Sequence, residues 1–233
     1  MAVEMDNRHC RVLTAFVLLI FTALIVPTIV IAGLSDKILE GAWSEIKNGT
    51  AYNTDMLEHY VAPTFKVGND TGRLVYPGGD VNPDEGVCTD LVVRALRNAG
   101  IDLQRLVHSD IVLNKKAYGV KTPDKYIDHR RVWILNTFFK RKWNSLLTEL
   151  INPEDWQPGD IVIWNTGSKT HLHIGIAGNK KRRDGFPYVI HNMRYIPFVY
   201  KGKTTEQDVL EGPKFLWFRV HKWQIIGHYR IRK

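Results

Sequence analysis

The sequence predicts an α+β fold in which helices come first and an antiparallel sheet follows. Two observations carry this reading. In CTDLVVRALRNAG, Cys88 to Gly100, the residues Leu91, Val92, Ala95, Leu96 and Ala99 recur at helical spacing with arginines between them and a glycine at the stop. From Trp156 the texture changes to short apolar runs at 160–164, 171–178, 186–192, 214–220 and 225–232, separated by Gly, Pro and charged residues.

The elements follow in chain order. A polar segment of eleven residues, MAVEMDNRHCR, precedes Val12 to Leu34, twenty-three residues without a charge, enough at about 1.5 Å per residue to span a bilayer. A cleaved secretory signal has a shorter apolar core, so a retained anchor is expected, although Val30-Ile31-Ala32 fits a cleavage site. Pro27 is tolerated in a membrane helix. Arg8 and Arg11 before the run put residues 1–11 in the cytoplasm and the remainder outside. Residues 35–73 read as a helical stalk or brace, opening with an amphipathic helix that turns Ile38, Leu39, Trp43 and Ile46 inward and stops at Gly49. Residues 74–233 form the main domain. Within it, 127–143 reads as a second helix with Val132, Leu135, Phe138 and Phe139 inward, and 179–185 as a polar hairpin tip.

The chain carries a formal charge of +8, and because Glu4 and Asp6 balance Arg8 and Arg11 all of it belongs to the part after the apolar run. A basic exterior suits an anionic neighbour such as wall polymer or lipid head groups. Nucleic acid is not expected, since no recognised nucleic-acid-binding motif is present.

There are two cysteines. The expected topology puts Cys10 and Cys88 on opposite sides of a membrane, which leaves Cys88 as an unpaired thiol where pairing is the habit. A helix N-terminus favours thiolate through its dipole and its free N–H groups. Candidate bases are His171, His173 and His191. The first two share a strand face, and the third sits on the next strand of a hairpin. A thiol, an imidazole and a third group that fixes the tautomer make up general triad logic, with a thiolate–imidazolium pair as the expected resting state. His-x-His on a strand is also a zinc-ligand spacing, but no carboxylate or second cysteine is obviously placed to complete a set, and no cofactor is expected. Asp160 reads as a turn cap and Asp90 as a cap of the first helical turn. His9, His59, His108, His221 and His228 read as structural or surface residues.

Tyr76, Gly78-Gly79, Cys88 at a helix start, QPGDIVIW, HIGIAG and VIHN resemble in order the NlpC-type, papain-like cell-wall peptidases. More closely, YPGGDV, GVCTDLVVRALRNAGIDLQRLVH, IDHRRV, WQPGDIV, HIGI and VIHN resemble the bacterial family named domain of unknown function 1287, over about residues 74–232. The resemblance implies a papain-like fold and a cysteine amidase or peptidase acting on peptidoglycan stem peptides. It implies Cys88 as nucleophile, His173 as base, His191 as orienting residue, with Asn192 the alternative, and Tyr76 at the reacting carbonyl. Asp80, Asp90, His171, Asn192, His129 and Arg130 are the candidate substrate contacts. CTD stands where NlpC-type enzymes usually read CSG, which leaves the substrate open. Two rivals stay open: a wall-binding module with a dead cleft, and a lipid or acyl transferase of the same superfamily.

Overall fold

The computed structural model describes residues 33–54, 75–167, 171–196, 200–215, 218–219 and 223–232. The expected cytoplasmic segment, nearly all of the expected anchor and residues 55–73 of the expected stalk lie outside the described residues. Among the described residues, no helix is long and apolar enough to cross a membrane.

Four helices and twelve strands are described. Helix α1 spans 33–48; α2 is Cys88–Asn98, α3 Leu103–Tyr118 and α4 Val132–Lys142. The strands are β1 Ala51–Tyr52, β2 Glu85–Gly86, β3 Asn144–Ser145, β4 Ile161–Asn165, β5 Leu172–Lys181, β6 Pro187–Asn192, β7 Tyr195–Ile196, β8 Tyr200–Lys201, β9 Thr204–Gln207, β10 Lys214–Phe215, β11 Phe218–Arg219 and β12 Gln224–Arg230. Six of them form one sheet in the order β3-β12-β4-β5-β6-β9, with every neighbouring pair antiparallel. The α+β expectation and the antiparallel sheet are both met.

The central strands are buried on both faces, and their alternation divides the core in two. Ile161, Ile163, Ile174, Ile176 and Ile190 face the helices and join Leu91, Val92, Ala95 and Leu96 of α2. Val162, Trp164 and Val189 face the other way, against Trp156, Phe186, Val209, Leu210 and Trp223. Full burial of one such aliphatic side chain is worth about 1.5–3 kcal/mol, so the α2 stripe alone clamps that helix to β5. Helix α1 belongs to the same core through Ile38, Leu39 and Ala42. At Gly41 a Cβ would lie 2.8 Å from the Ala95 Cα, so only glycine lets α1 cross α2 this closely.

Several expected details change. Trp43, expected inward, is 38% exposed, and Ala42 and Glu45 take the buried positions instead. Glu45 is buried because Arg94 pairs with it at 2.9 Å. The second expected helix starts only at Val132, since Asp128–Arg130 form a 3-10 turn. Helix α3 was not expected, although Asp102 caps its Arg105 N–H and Gly119 ends it at φ 61°. Strand β5 runs on to Lys181, which shortens the hairpin tip to a turn closed by Arg182 N–H donating to the Phe186 carbonyl. Within 214–220, expected as one strand, β10 and β11 pair with each other, Lys214 opposite Arg219.

Candidate active site

Cys88 is the first residue of α2, and the turn before it is held by a charged network. The Asp90 carboxylate accepts the Val87 N–H at 2.7 Å and takes a two-pronged ion pair from Arg130, Nε to Oδ1 at 2.5 Å and Nη2 to Oδ2 at 2.7 Å. Gly86 is needed beneath it, because a Cβ there would sit 2.9 Å from the Asp90 Cβ. Burial alone would raise the Asp90 carboxyl; Arg130 and the Val87 N–H override it and hold the group below the usual carboxylate range.

Strands β5 and β6 pair only from Ile176 opposite Ile190 onward. Nearer the start of β5, the Ile174 N–H is directed at the Cys88 sulfur, as are the N–H groups of Thr89 and Cys88 itself. The sulfur therefore reaches the sheet where the two strands part, one residue from His173. His173 projects to the opposite face, stacked on Trp164 at 5.7 Å between centroids with Trp223 edge-on at 5.4 Å. His173 Nε2 lies 2.9 Å from His191 Nδ1, and His191 Nε2 lies 2.9 Å from Gln207 Oε1. Gly175 makes the imidazole contact possible, because a Cβ there would lie 2.8 Å from Val189 Cγ1 and 2.9 Å from the Ile190 carbonyl oxygen.

With the Gln207 oxygen as acceptor, one proton arrangement satisfies this chain. His191 Nε2–H donates to Gln207, His191 Nδ1 accepts from His173 Nε2–H, and His173 Nδ1 keeps its lone pair. The structure thus joins His173, His191 and Gln207 directly, whereas Cys88 meets β5 through the backbone of Ile174, with no side-chain hydrogen bond to His173 among the described residues.

Burial decides the charge states. It pushes the Cys88 thiol up to about 12, against three N–H groups that pull it down. Burial, with His191 adding to it, lowers His173 well below the ordinary imidazole value, and burial lowers His191 to about 4, with Gln207 opposing. At rest the thiol and both imidazoles are therefore neutral. This corrects the expected ion pair: the helix terminus does favour thiolate, but desolvation of a thiol on a residue only 8% exposed is the larger effect.

The remaining candidates divide. Tyr76 packs edge-to-face on His108, with Lys125 over its ring. Another tyrosine, Tyr52, is the one electrostatically coupled to Cys88: it pairs with Gly86 across β1–β2, and burial followed by the charge on Cys88 raises its hydroxyl to about 12. Asp80 is tied to Arg94 and Arg97. Asp90 and Arg130 hold each other. His171 is exposed just before β5. Asn192 is buried against the carbonyls of Thr50 and Gly86, at 3.4 and 3.5 Å, and its Oδ1 has no partner among the described residues. His129 is buried with Nδ1 unpartnered, and burial, helped by Arg130, takes it down to about 3. Asp160, read as a turn cap, accepts the Gln157 N–H and also pairs with His228 and Arg230. Among the described residues, no three His, Cys, Asp or Glu side chains converge as a metal-holding group. Tyr52, Gln207, Trp164 and Trp223 were not singled out from sequence. Trp164 lies inside QPGDIVIW, but Gln207 and Tyr52 sit in no motif and gain their positions only through strand pairing.

Comparison with known proteins gives a match over residues 58–231 to the family model described as "Domain of unknown function (DUF1287)". The chain is 42% identical over 162 residues to "Uncharacterized protein YijF" of Escherichia coli, covering 68% of this chain and 70% of that protein. No solved structure matches.

Proposed function

The chain belongs to the DUF1287 family, and we propose that it is a membrane-anchored cysteine amidase or peptidase of the NlpC-type, papain-like kind, cutting amide bonds of peptidoglycan stem peptides. The observation that carries the reading is the relay His173–His191–Gln207, one residue along β5 from Ile174, whose backbone meets a thiol at a helix N-terminus. An imidazole whose tautomer is fixed by two successive bonds, ending in one free lone pair, is what general-base activation of a nucleophile requires.

The chemistry starts from the neutral pair. As the Cys88 sulfur attacks an amide carbonyl, its proton passes to His173 Nδ1, and the imidazolium formed is steadied through Nε2 by His191. This step requires the start of β5 to rearrange on substrate binding, so that His173 leaves the Trp164 face and turns its Nδ1 to the thiol. In this reading the backbone N–H groups at the start of α2 and the Tyr52 hydroxyl donate to the developing oxyanion. His173 returns the proton to the leaving amine as the C–N bond breaks, giving a thioester on Cys88. Water, deprotonated by His173, then releases the acid and restores the thiol.

The rival is a wall-binding module with the same fold, and the burial and raised pKa of Cys88 favour it. Incubation of the full chain with purified peptidoglycan, followed by mass spectrometry of the soluble fraction, separates the two. New amide-cleaved fragments support the enzyme and name the bond, while depletion of protein from solution without fragments supports the module.

A further inference from the structure

The two ends of the domain differ in chemistry. At the start of α1, Ser35 lies against Gly159, where a Cβ would sit 3.5 Å from the Ser35 Cα, and the Lys37 carbonyl accepts a 2.7 Å bond from Asn98 Nδ2 at the last residue of α2. Just past the end of α1, the Thr50 carbonyl meets Asn192, and Tyr52 pairs beside Cys88. Helices α1 and α2 therefore run antiparallel. The catalytic centre lies about 20 Å from Ser35, the length of the helix between them.

The Ser35 end also receives the end of β12. Asp160, next to Gly159, pairs with Arg230. Ile231 and Arg232 follow, and with Leu106, Leu113, Phe138 and Trp143 they line an open recess of about 410 Å³ that is mainly apolar. Leu113 of the lining is 82% exposed, and its chain neighbour Val112 is 47% exposed. The helix leaves regular geometry at Asn114 (φ −137°, ψ 37°), and Lys115 and Lys116 project beyond it, both exposed. Helices α3 and α4 together hold six cations, Arg105, Lys115, Lys116, Lys140, Arg141 and Lys142, against one carboxylate, Asp110. That is a net +5 out of the chain's +8.

We propose that this end of the domain, with Val112 and Leu113 leading and Lys115 and Lys116 flanking them, rests on the surface of an anionic lipid bilayer. The Cys88–His173 centre is thereby directed away from the membrane. Charge complementarity selects an anionic occupant. The leucine selects a bilayer over a soluble anionic polymer, because only a bilayer offers head groups for the lysines and acyl chains for an apolar tip. The uncharged run Val12 to Leu34 ends at this same end of the domain, and Leu34 already packs on the core, so a chain anchored by that run brings this face within reach of the lipid, and the charge of the bilayer decides whether it docks.

The test uses the full chain with Cys10→Ser and Cys88→Ser, a spin label at Leu113→Cys or at Arg194→Cys, and vesicles of phosphatidylcholine with or without phosphatidylglycerol. Arg194 is exposed, three residues after His191. On anionic vesicles the label at 113 becomes accessible to lipid-dissolved oxygen and shielded from an aqueous nickel chelate, while the label at 194 stays aqueous. Lys115→Glu with Lys116→Glu lowers the docked fraction by at least about 25-fold, since one basic residue at such a surface is worth about fivefold. A label at 113 that stays aqueous on anionic vesicles, or docks equally on pure phosphatidylcholine, overturns the proposal. So does equal shielding by soluble polyglutamate without lipid, which makes the face a polymer site.

Discussion

Acidification is expected to unfold this protein through three histidines. His129, His173 and His191 are each at most 4% exposed, and burial is the main cause that depresses all three. A group whose pKa is depressed by folding contributes stability that is present above the unfolded value and lost as pH falls below it. The window therefore opens at about 6.5, the unfolded imidazole value, and extends down toward the native values of about 3 for His129 and about 4 for His191. At about pH 5 each unfolded imidazole has gained about 2 kcal/mol from protonation that its native counterpart has not, so three cost about 6 kcal/mol relative to about pH 8. That rivals the whole net stability of a typical domain, about 5–15 kcal/mol. Asp128, raised by burial, has the opposite sign and offsets a small part at the acid end. Urea unfolding followed by tryptophan fluorescence at several pH values reads the slope, and His129→Gln should remove about a third of it. Equal stability at about pH 8 and about pH 5, or an unchanged slope in that variant, would refute the assignment of these imidazoles as buried and neutral.

Three further outcomes follow from the same geometry. Arg130→Met leaves the Asp90 carboxylate buried without its partner and should destabilise the fold by about 3–5 kcal/mol in urea, with most of the loss recovered when Asp90→Asn is added; an additive double variant would count against the pair. Gln207→Leu strands the His191 Nε2–H and frees the tautomer, so turnover should fall about tenfold or more, while Gln207→Glu should raise the His191 pKa and shift the acid limb of the rate profile upward; identical profiles in all three proteins would show that Gln207 does not act through the relay. Iodoacetamide should label Cys88 of the folded chain slowly at neutral pH and ever faster toward about 12, whereas a free thiol levels off above its ordinary ~8.5; rapid labelling below neutrality would restore the ion pair.

Much of the fold was legible because apolar periodicity is a local signal. The stripe Leu91, Val92, Ala95 and Leu96 names the buried face of α2, and the runs at 160–164, 171–178 and 186–192 give β4, β5 and β6 to within three residues at each end. Helix α3 escaped because only part of its surface is buried, and Leu113 and Lys115 break the apolar stripe after Ile111. The candidate site was legible where chemistry and motif coincide: the sequence points to His173 and His191, which the structure joins, and to Cys88 at a helix start. It was illegible where position depends on long-range pairing: Tyr52 reaches Cys88 through β2, and Gln207 reaches His191 through the β6–β9 ladder. The charge state was illegible for a related reason. A helix N-terminus can be read from sequence, but the burial that outweighs it comes from packing of α2 on the sheet.

The central claim is that Cys88 forms a covalent acyl intermediate with His173 as its base. Intact-protein mass spectrometry after brief acid quenching of the full chain with soluble peptidoglycan fragments tests it most directly. The expected result is an adduct with the mass of an acyl fragment on Cys88, sensitive to hydroxylamine, absent in Cys88→Ala and strongly reduced in His173→Ala. Fragment release that continues in Cys88→Ala, or an adduct on any other residue, would contradict it.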